Sequence, residues 1–302
     1  MNPVLLYAAS GESLYPGVAL LLGAVLTARY SQPRWLGWLR TVAMWLALAM
    51  IVMACPPFNY IIDAVFGVAF VLWLIAWNRA AQTRARARLQ ISATSVLVLL
   101  LLTLLVVELF HRRIPVIRGR VSDHLVVIGD SISSGLGSRV RPWPALLQQM
   151  TGVEVKNLSK PGASMADGLT MAERVGPEDD LILIELGGND LIAGEPSTTF
   201  AQGLQEVLAK LVAPGRTMVM FELPLLPDRI AYGQIQRRLA AKYGVWLIPK
   251  RCLAGIIMHR DATSDGLHLS DAGSRRMALL VAQVLSPVLQ AHPGATTPAT
   301  HP

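Results

Sequence analysis

The sequence has few cysteines and no clustered metal-binding residues. It contains two cysteines, Cys55 and Cys252, which lie far apart in the chain. A structural disulfide between them is not expected, and the cysteines indicate no particular compartment. No CxxC pair occurs, and the six histidines are scattered. The sequence therefore predicts no metal site, because a bound zinc needs closely spaced Cys and His ligands.

Acidic residues and lysines are scarce in the first 120 positions. This part holds 11 Arg, no Lys and 3 acidic residues, whereas positions 121–302 hold 16 basic and 17 acidic residues. The net charge of +7 thus belongs to the first part. A nucleic-acid groove needs basic residues clustered on a folded domain, so we expect no nucleic-acid partner.

Long apolar runs explain why 53% of the residues are hydrophobic and the mean hydropathy is +0.45. The four runs are Ser13 to Ala28, Trp35 to Cys55, Tyr60 to Trp77, and Ile91 to Phe110. About 20 residues cross a bilayer as a helix, so residues 1–113 are predicted to be a transmembrane region of about four helices. Each run could instead be a buried core helix. The first could be a signal peptide, but MNPVLLYAAS lacks the basic start of one.

The arginines around these runs predict an orientation. Seven fall on one predicted side (Arg29, Arg34, Arg40, Arg79, Arg84, Arg86 and Arg88), and four fall on the other (Arg112, Arg113, Arg118 and Arg120). Since positive loops stay inside, we expect a multi-pass protein of the bacterial cytoplasmic membrane whose C-terminal domain is periplasmic. The arginine-rich stretch at 78–90 is interpreted as a solvated loop that touches anionic membrane lipids.

A linker at 114–122 leads into a segment, 123–290, with the pattern of an α/β domain. Apolar runs typical of buried strands lie at Leu125 to Ile128, Leu181 to Leu186, Met218 to Phe221 and Val245 to Ile248, with a weaker run at Val153 to Val155. Helical segments are predicted at Trp143 to Met150, Met165 to Arg174, Thr198 to Leu211, Arg229 to Tyr243, and Asp271 to about Leu289 with Ser270 as N-cap. This alternation predicts a parallel sheet covered on both faces. The tail at 291–302 is expected to be disordered.

Polar residues follow several of these strands, where ligands of such sheets bind. Ser131 lies in a Gly-Asp-Ser after the first strand, Gly162 follows the second, and Asn189 lies in the GGND after the third. Asp265 and His268 occur in SDGLHLS near the C-terminus. A histidine can take the proton of a serine nucleophile if a carboxylate orients it.

The remaining groups could bind an oxyanion. The N–H groups of Ser131 and Gly162 and the amide of Asn189 are suitable donors. Each motif alone is more simply a turn or a cap, but together they supply every part of an acyl-transfer site. Asp130 and Asp190 are interpreted as structural residues. A dinucleotide loop at GLG lacks its third glycine, and no GxSxG elbow surrounds Ser131.

The four blocks IGDSISSG, Gly162, ELGGND and DGLH resemble those of the SGNH (GDSL) hydrolases, in particular the bacterial esterases with thioesterase and lysophospholipase activities. The resemblance covers about Leu125 to Leu289. It implies a three-layer, flavodoxin-like α/β domain without cofactor, with Ser131 as nucleophile, His268 as base and Asp265 as its partner. Ser131, Gly162 and Asn189 would form the oxyanion hole. Ile132 and Leu269 depart from the usual Leu and Pro of the family.

We therefore expect a membrane-anchored serine esterase that acts on acyl esters at the membrane surface through an acyl-enzyme on Ser131. Lysophospholipids, lipid-linked sugars and acylated envelope glycans are the substrate classes left open. An acyltransferase or deacetylase of envelope polysaccharide is an alternative, and so is a membrane-tethered binding module with an inert site.

Overall fold

The computed structural model describes residues 3–28, 34–57, 60–78, 84–135 and 140–290. The chain divides into two compact units. The helical unit comprises Gly11–Arg113 and Leu226–Ile230, and the α/β unit comprises Met1–Ser10, Ile114–Leu225 and Ala231–Pro302. The tail at 291–302 and most of the GLG motif lie outside the described residues.

Five helices precede the sheet. They are α1 (Pro3–Ala9), α2 (Leu14–Thr27), α3 (Arg34–Met53), α4 (Tyr60–Asn78) and α5 (Arg84–Arg112). The last four coincide with the four apolar runs. The interpretation of the arginine-rich stretch as a loop is wrong from Arg84 onward, where α5 already begins. Arg, Ala, Leu and Gln all favour helix, so the charged sequence extends the apolar helix instead of ending it.

The helical unit packs around small and aromatic residues. A Cβ atom at Gly17 of α2 would lie 3.0 Å from the Cβ of Met50, so glycine lets α2 approach α3 closely. The ring of Trp73 stacks on Phe70 and on Trp77. Its Nε1 donates to Thr94 Oγ1 at 3.2 Å, which ties α4 to α5. Side chains fully buried between the helices are Leu14, Leu21, Leu97 and Leu101.

The outer surface of the helical unit is also apolar. Large exposed side chains include Trp35, Trp45, Val68, Leu99 and Phe110. Among the described helices, Trp35–Met53 and Ala87–Arg112 are long and apolar enough to cross a membrane, and Leu14–Thr27 and Ile61–Trp77 are shorter apolar helices. A helix that is apolar inside and outside is typical of a lipid environment.

The α/β unit contains a five-stranded parallel sheet. Its strands are β1 (His124–Gly129), β2 (Glu154–Asn157), β3 (Leu181–Glu185), β4 (Thr217–Phe221) and β5 (Trp246–Ile248). They lie in the order β2-β1-β3-β4-β5, which is the flavodoxin-like arrangement. The predicted parallel sheet is confirmed.

Helices cover the sheet and connect its strands. They are α6 (Ser131–Ser134), α7 (Trp143–Thr151), α8 (Met165–Ala172), α9 (Gly188–Ala193), α10 (Ser197–Leu211), α11 (Ile230–Tyr243), α12 (Lys250–Ile257) and α13 (Asp271–Leu285). On one face, Leu125 and Val127 of β1 share a core cluster with Trp143 of α7 and Val281 of α13. Residues of β1 that alternate with these, such as Val126, are equally buried. Both faces are therefore covered, as the unbroken apolar runs predict.

The start of the chain belongs to the α/β unit. Helix α1 contacts α12. The backbone N–H of Leu225 donates to the carbonyl of Ala9. This pairing joins segments of the α/β unit that are more than 200 positions apart in the chain.

Candidate active site

Ser131 is the first residue of α6 and follows the inner strand β1, from which only Asp130 separates it. The carboxylate of Asp130 caps this helix and accepts from the N–H of Ile132 at 2.9 Å. A Cβ atom at Gly129 would lie 2.7 Å from Ser133 Oγ, so only glycine allows the chain to turn this sharply. The Gly-Asp-Ser sequence therefore aims the serine beyond the end of the sheet, and Ser131 keeps 7% of its surface exposed.

Gly162 and Asn189 follow the two strands that flank β1. Val127 of β1 pairs with Asn157 of β2, and Gly129 pairs with Glu185 of β3. The segments after β1, β2 and β3 therefore meet at one edge of the sheet. Gly162 has a φ of +73°, a left-handed conformation that favours glycine.

The side-chain amide of Asn189 joins the three strand ends. Its Nδ2 donates to Asp130 Oδ2 at 3.2 Å and to the carbonyl of Ala163 at 3.0 Å. The first contact reaches the turn that holds Ser131, and the second reaches the loop that holds Gly162. Asn189 is thus anchored beside both of the other candidate oxyanion donors.

Asp265 and His268 form a close pair in the segment between α12 and α13. Nδ1 of His268 lies 2.6 Å from Asp265 Oδ2. Asp265 Oδ1 accepts from the backbone N–H groups of Leu267 and His268. The His268 ring and these N–H groups lower the pKa of Asp265, so it is a carboxylate at neutral pH.

An ion pair between Asp261 and Arg276, called the clamp below, anchors the start of this segment to α13. Asp261 forms a two-point ion pair with Arg276 of α13, at 2.7 and 3.1 Å. This pairing lowers the pKa of Asp261 to about 2. The N–H of Gly273 donates to Ser270 Oγ, so Ser270 is the N-cap of α13, as predicted. A short bridge between Thr263 and Leu269 closes the turn that carries Asp265 and His268.

His268 acts electrostatically on the strand-end residues. Its charge favours the ionised form of Asp130, the residue directly before Ser131. His268 therefore lies within electrostatic range of Asp130, in the turn of the candidate nucleophile, although 137 positions separate it from Ser131.

Below this edge lie polar residues that sequence reasoning did not assign to the site. Glu185, at the end of β3, is 2% exposed and accepts from Ser133 Oγ at 2.8 Å. Asp190 accepts from the N–H of Met165 at 3.2 Å, in keeping with its expected structural role. An acid that ends an otherwise apolar strand is the sequence signal that could have identified Glu185.

A cavity of about 420 Å³ opens beside Gly162 and Asn189. Its lining includes the carboxylates of Asp190, Glu195 and Glu206, and the described lining residues contain no Lys, Arg or His. Among the described residues, no group of three or more His, Cys, Asp or Glu side chains could hold a metal ion.

The chain is similar to known ester hydrolases. Residues 127–276 match the GDSL-like Lipase/Acylhydrolase family. The chain is 30% identical over 182 residues to an arylesterase of Vibrio mimicus, an alignment that covers 55% of this chain and 90% of the relative. It is 26% identical over 182 residues to the Escherichia coli thioesterase 1/protease 1/lysophospholipase L1, with 57% and 88% covered. The crystal structure of TesA matches with a TM-score of 0.48 and 30% identity, covering 55% of this chain and 99% of TesA.

The family match and the sequence relatives confirm the resemblance found in the sequence. The chain is an ester-bond hydrolase and belongs to the GDSL-like lipase/acylhydrolase family.

Proposed function

We propose that this protein is a membrane-anchored serine esterase in which Ser131 is the nucleophile, His268 the base and Asp265 the residue that orients it. The observation that carries this proposal is the bond between His268 Nδ1 and Asp265. It leaves Nε2 of the imidazole as the proton acceptor, as a serine nucleophile requires.

The reaction would proceed in two steps. Ser131 Oγ attacks the ester carbonyl carbon while Nε2 of His268 takes its proton, and the tetrahedral intermediate then expels the alcohol, which receives that proton. Water, deprotonated by the same nitrogen, attacks the acyl-enzyme and releases the acid and free Ser131. The N–H groups of Ser131 and Gly162 and the Asn189 amide would bind the oxyanion. Asn189 would keep its bond to Asp130 and turn its other hydrogen from Ala163 toward this oxygen.

Fluorophosphonate labelling tests the nucleophile. We expect the full-length protein in detergent to be labelled at Ser131, and Ser131→Ala to abolish both labelling and hydrolysis of a p-nitrophenyl ester. Ser134→Ala, in the same short helix, is the matched control and should retain labelling. Labelling that persists in Ser131→Ala would contradict the proposal.

The charge of the cavity favours a neutral polyhydroxyl group in the substrate. The cavity is lined by two of the candidate oxyanion residues, Gly162 and Asn189, and by three carboxylates without a described cation. A phosphate placed there would be repelled, whereas sugar or glycerol hydroxyls can donate to carboxylates. Among the substrate classes left open by the sequence, this supports acyl esters of a glycan over anionic lysophospholipids.

The position of α1 supports an even number of membrane crossings. Helix α1 precedes the apolar helices and packs on α12, which follows them. Both ends of the helical unit must then lie on the same side of the membrane, which fits four crossings or two. The arginine distribution would place that side outside the cytoplasm. A C-terminal alkaline phosphatase fusion tests this: we expect it to be active, and an inactive fusion with an active cytoplasmic reporter would contradict it.

A further inference from the structure

Glu185 is an acidic side chain buried beneath the candidate active site, and the mechanism above does not use it. It ends a strand whose other residues, Leu181 to Ile184, are fully buried and apolar. Within the described residues, it forms no ion pair with a Lys or Arg side chain. An isolated ionised carboxylate in such a place is very costly.

The hydrogen bonds of Ser133 have a defined direction. Trp143 Nε1 can only donate, and it donates to Ser133 Oγ at 3.1 Å. The single hydroxyl hydrogen of Ser133 is then directed at Glu185 Oε2, 2.8 Å away. Oε2 of this carboxyl is thus an acceptor, held in place by Ser133 of α6 and, through Ser133, by Trp143 of α7.

The carboxyl groups of Glu185 and Asp130 are neighbours: both are buried, Glu185 pairs in the sheet with Gly129, and each carboxyl shifts the pKa of the other. Two buried carboxyl groups this close are not both ionised, so one of them carries a proton. Asp130 receives the N–H of Ile132 and the amide of Asn189, and His268 favours its ionised form. Glu185 is the more deeply buried of the two, and burial raises its pKa well above the usual range. The proton therefore belongs on Glu185.

We propose that Glu185 is a positioning residue, which stays protonated and donates a hydrogen bond to Asp130 so that Asp130 holds the Asn189 amide at the oxyanion hole. The resulting chain runs from Trp143 through Ser133, Glu185 and Asp130 to Asn189. This inference rests on the proposed function, because it assumes that Asn189 is an oxyanion donor.

The protonated state has a second effect. With Glu185 neutral, Asp130 is the only negative member of the Glu185–Asp130 pair, and its charge stabilises the imidazolium of His268. With Glu185 ionised, two carboxylates would oppose the oxyanion and repel each other. Asp190, which also acts on Asp130, would add to this repulsion.

Two substitutions separate donation from packing. In Glu185→Gln the side chain can still accept from Ser133 and donate to Asp130, whereas in Glu185→Leu it can do neither. We expect Glu185→Gln to keep kcat within about threefold of the wild type. We expect Glu185→Leu to lower kcat by about 10²-fold with little change in KM, as for a catalytic group displaced by about 1 Å. Equal kcat values for Glu185→Leu and the wild type would overturn the proposal.

A double-mutant cycle shows whether Glu185 acts through Asn189. In an Asn189→Ala background, Glu185→Leu should cost almost nothing more in kcat, because the group it positions is gone. A full, additive loss in that background would mean that Glu185 serves the structure elsewhere. Thermal unfolding of each variant identifies any that fails to fold, and Glu185→Gln then still provides the spectroscopic test.

Infrared difference spectroscopy tests the proton directly. The wild type minus Glu185→Gln spectrum of the detergent-solubilised chain at neutral pH should contain the C=O stretch of a protonated carboxyl, shifted in D2O. The absence of this band would overturn the proposal. Because the band needs no substrate, it distinguishes a failure of this inference from a failure of the proposed esterase function, which fluorophosphonate labelling tests separately.

Discussion

Nδ1 of His268 and Oδ2 of Asp265 lie 2.6 Å apart, in a turn whose backbone N–H groups also bind Asp265. In the proposed mechanism, this local pair sets the tautomer of the imidazole. It is held independently of the strand ends, by the clamp between Asp261 and Arg276. The candidate site thus consists of two separately stabilised parts. One is the group of strand ends at the sheet edge, and the other is the Asp265–His268 turn before α13.

Replacing Asp265 should disable the base without unfolding the domain. Asp265→Asn keeps an acceptor for the backbone but presents an amide N–H to Nδ1, which favours the wrong tautomer. We expect kcat for a p-nitrophenyl ester to fall by up to about 10⁴-fold. The thermal unfolding temperature should change little, since Asp265 is half exposed. A variant that turns over normally would exclude Asp265 as the orienting residue.

Removing the Asn189 amide should cost one oxyanion donor. We expect Asn189→Ala to lower kcat by about 10² to 10³-fold, with a smaller change in KM. Gln205→Ala, on the exposed side of α10, is the control and should behave as the wild type. If Asn189→Ala remained fully active, the proposed oxyanion hole would be incorrect.

Weakening the clamp should displace the His268 turn. Lysine cannot reproduce the two-point contact of Arg276 with Asp261, so Arg276→Lys should lower kcat/KM by about three- to tenfold. Arg275→Lys, at the neighbouring position, leaves the ion pair between Arg276 and Asp261 intact and serves as the control. Steady-state kinetics on both variants would show whether the clamp matters for turnover, and identical values would argue against it.

Neutralising the cavity should change head-group preference. We expect Glu195→Gln/Glu206→Gln to raise kcat/KM for a lysophosphatidylglycerol, relative to a monoacylglycerol with the same acyl chain, by about threefold to tenfold. This corresponds to removing about 1 kcal/mol of screened repulsion. Glu173→Gln/Glu178→Gln makes the same change in net charge outside the cavity. If both double variants shift this ratio of kcat/KM values equally, the proposed role of the cavity carboxylates in head-group preference is incorrect.

The pH dependence of stability should report on Glu185. Burial raises the pKa of this carboxyl, so folding favours its protonated form. Its contribution to stability is therefore full below the unfolded pKa of about 4.3 and is lost as the pH rises through the folded pKa. The titratable group that acts directly on Glu185 is the Asp130 carboxyl. Asp190 and His268 in turn act electrostatically on Asp130.

We therefore expect the free energy of unfolding of the wild type to decline more steeply than that of Glu185→Gln as the pH rises above about 4.3. Denaturant titrations of both proteins across this range measure the difference. Parallel profiles would show that Glu185 does not retain a proton on folding.

Local features of the site could be predicted from the sequence because their partners are near neighbours. Ser270 caps α13 through a residue three positions away, and His268 meets Asp265 over the same distance. The strand ends were also predictable, since continuous apolar runs that stop at Gly, Asp or Asn are typical of buried parallel strands. Helix α12 was missed because it directly follows Pro249 and is short, although its buried Cys252, Leu253, Ile256 and Ile257 have helical spacing.

The sequence by itself determined the family, the parallel α/β sheet and the residue types that end each strand, because apolar periodicity and short motifs encode these locally. The tertiary structure decided that β1 lies between β2 and β3, and hence that the hydrogen-bonded pair of Asp130 and Asn189 lies beside the buried Glu185. It also decided that α1 packs on α12. These contacts join residues up to some 250 positions apart, and their free energy exists only once strand register and burial have brought the groups together.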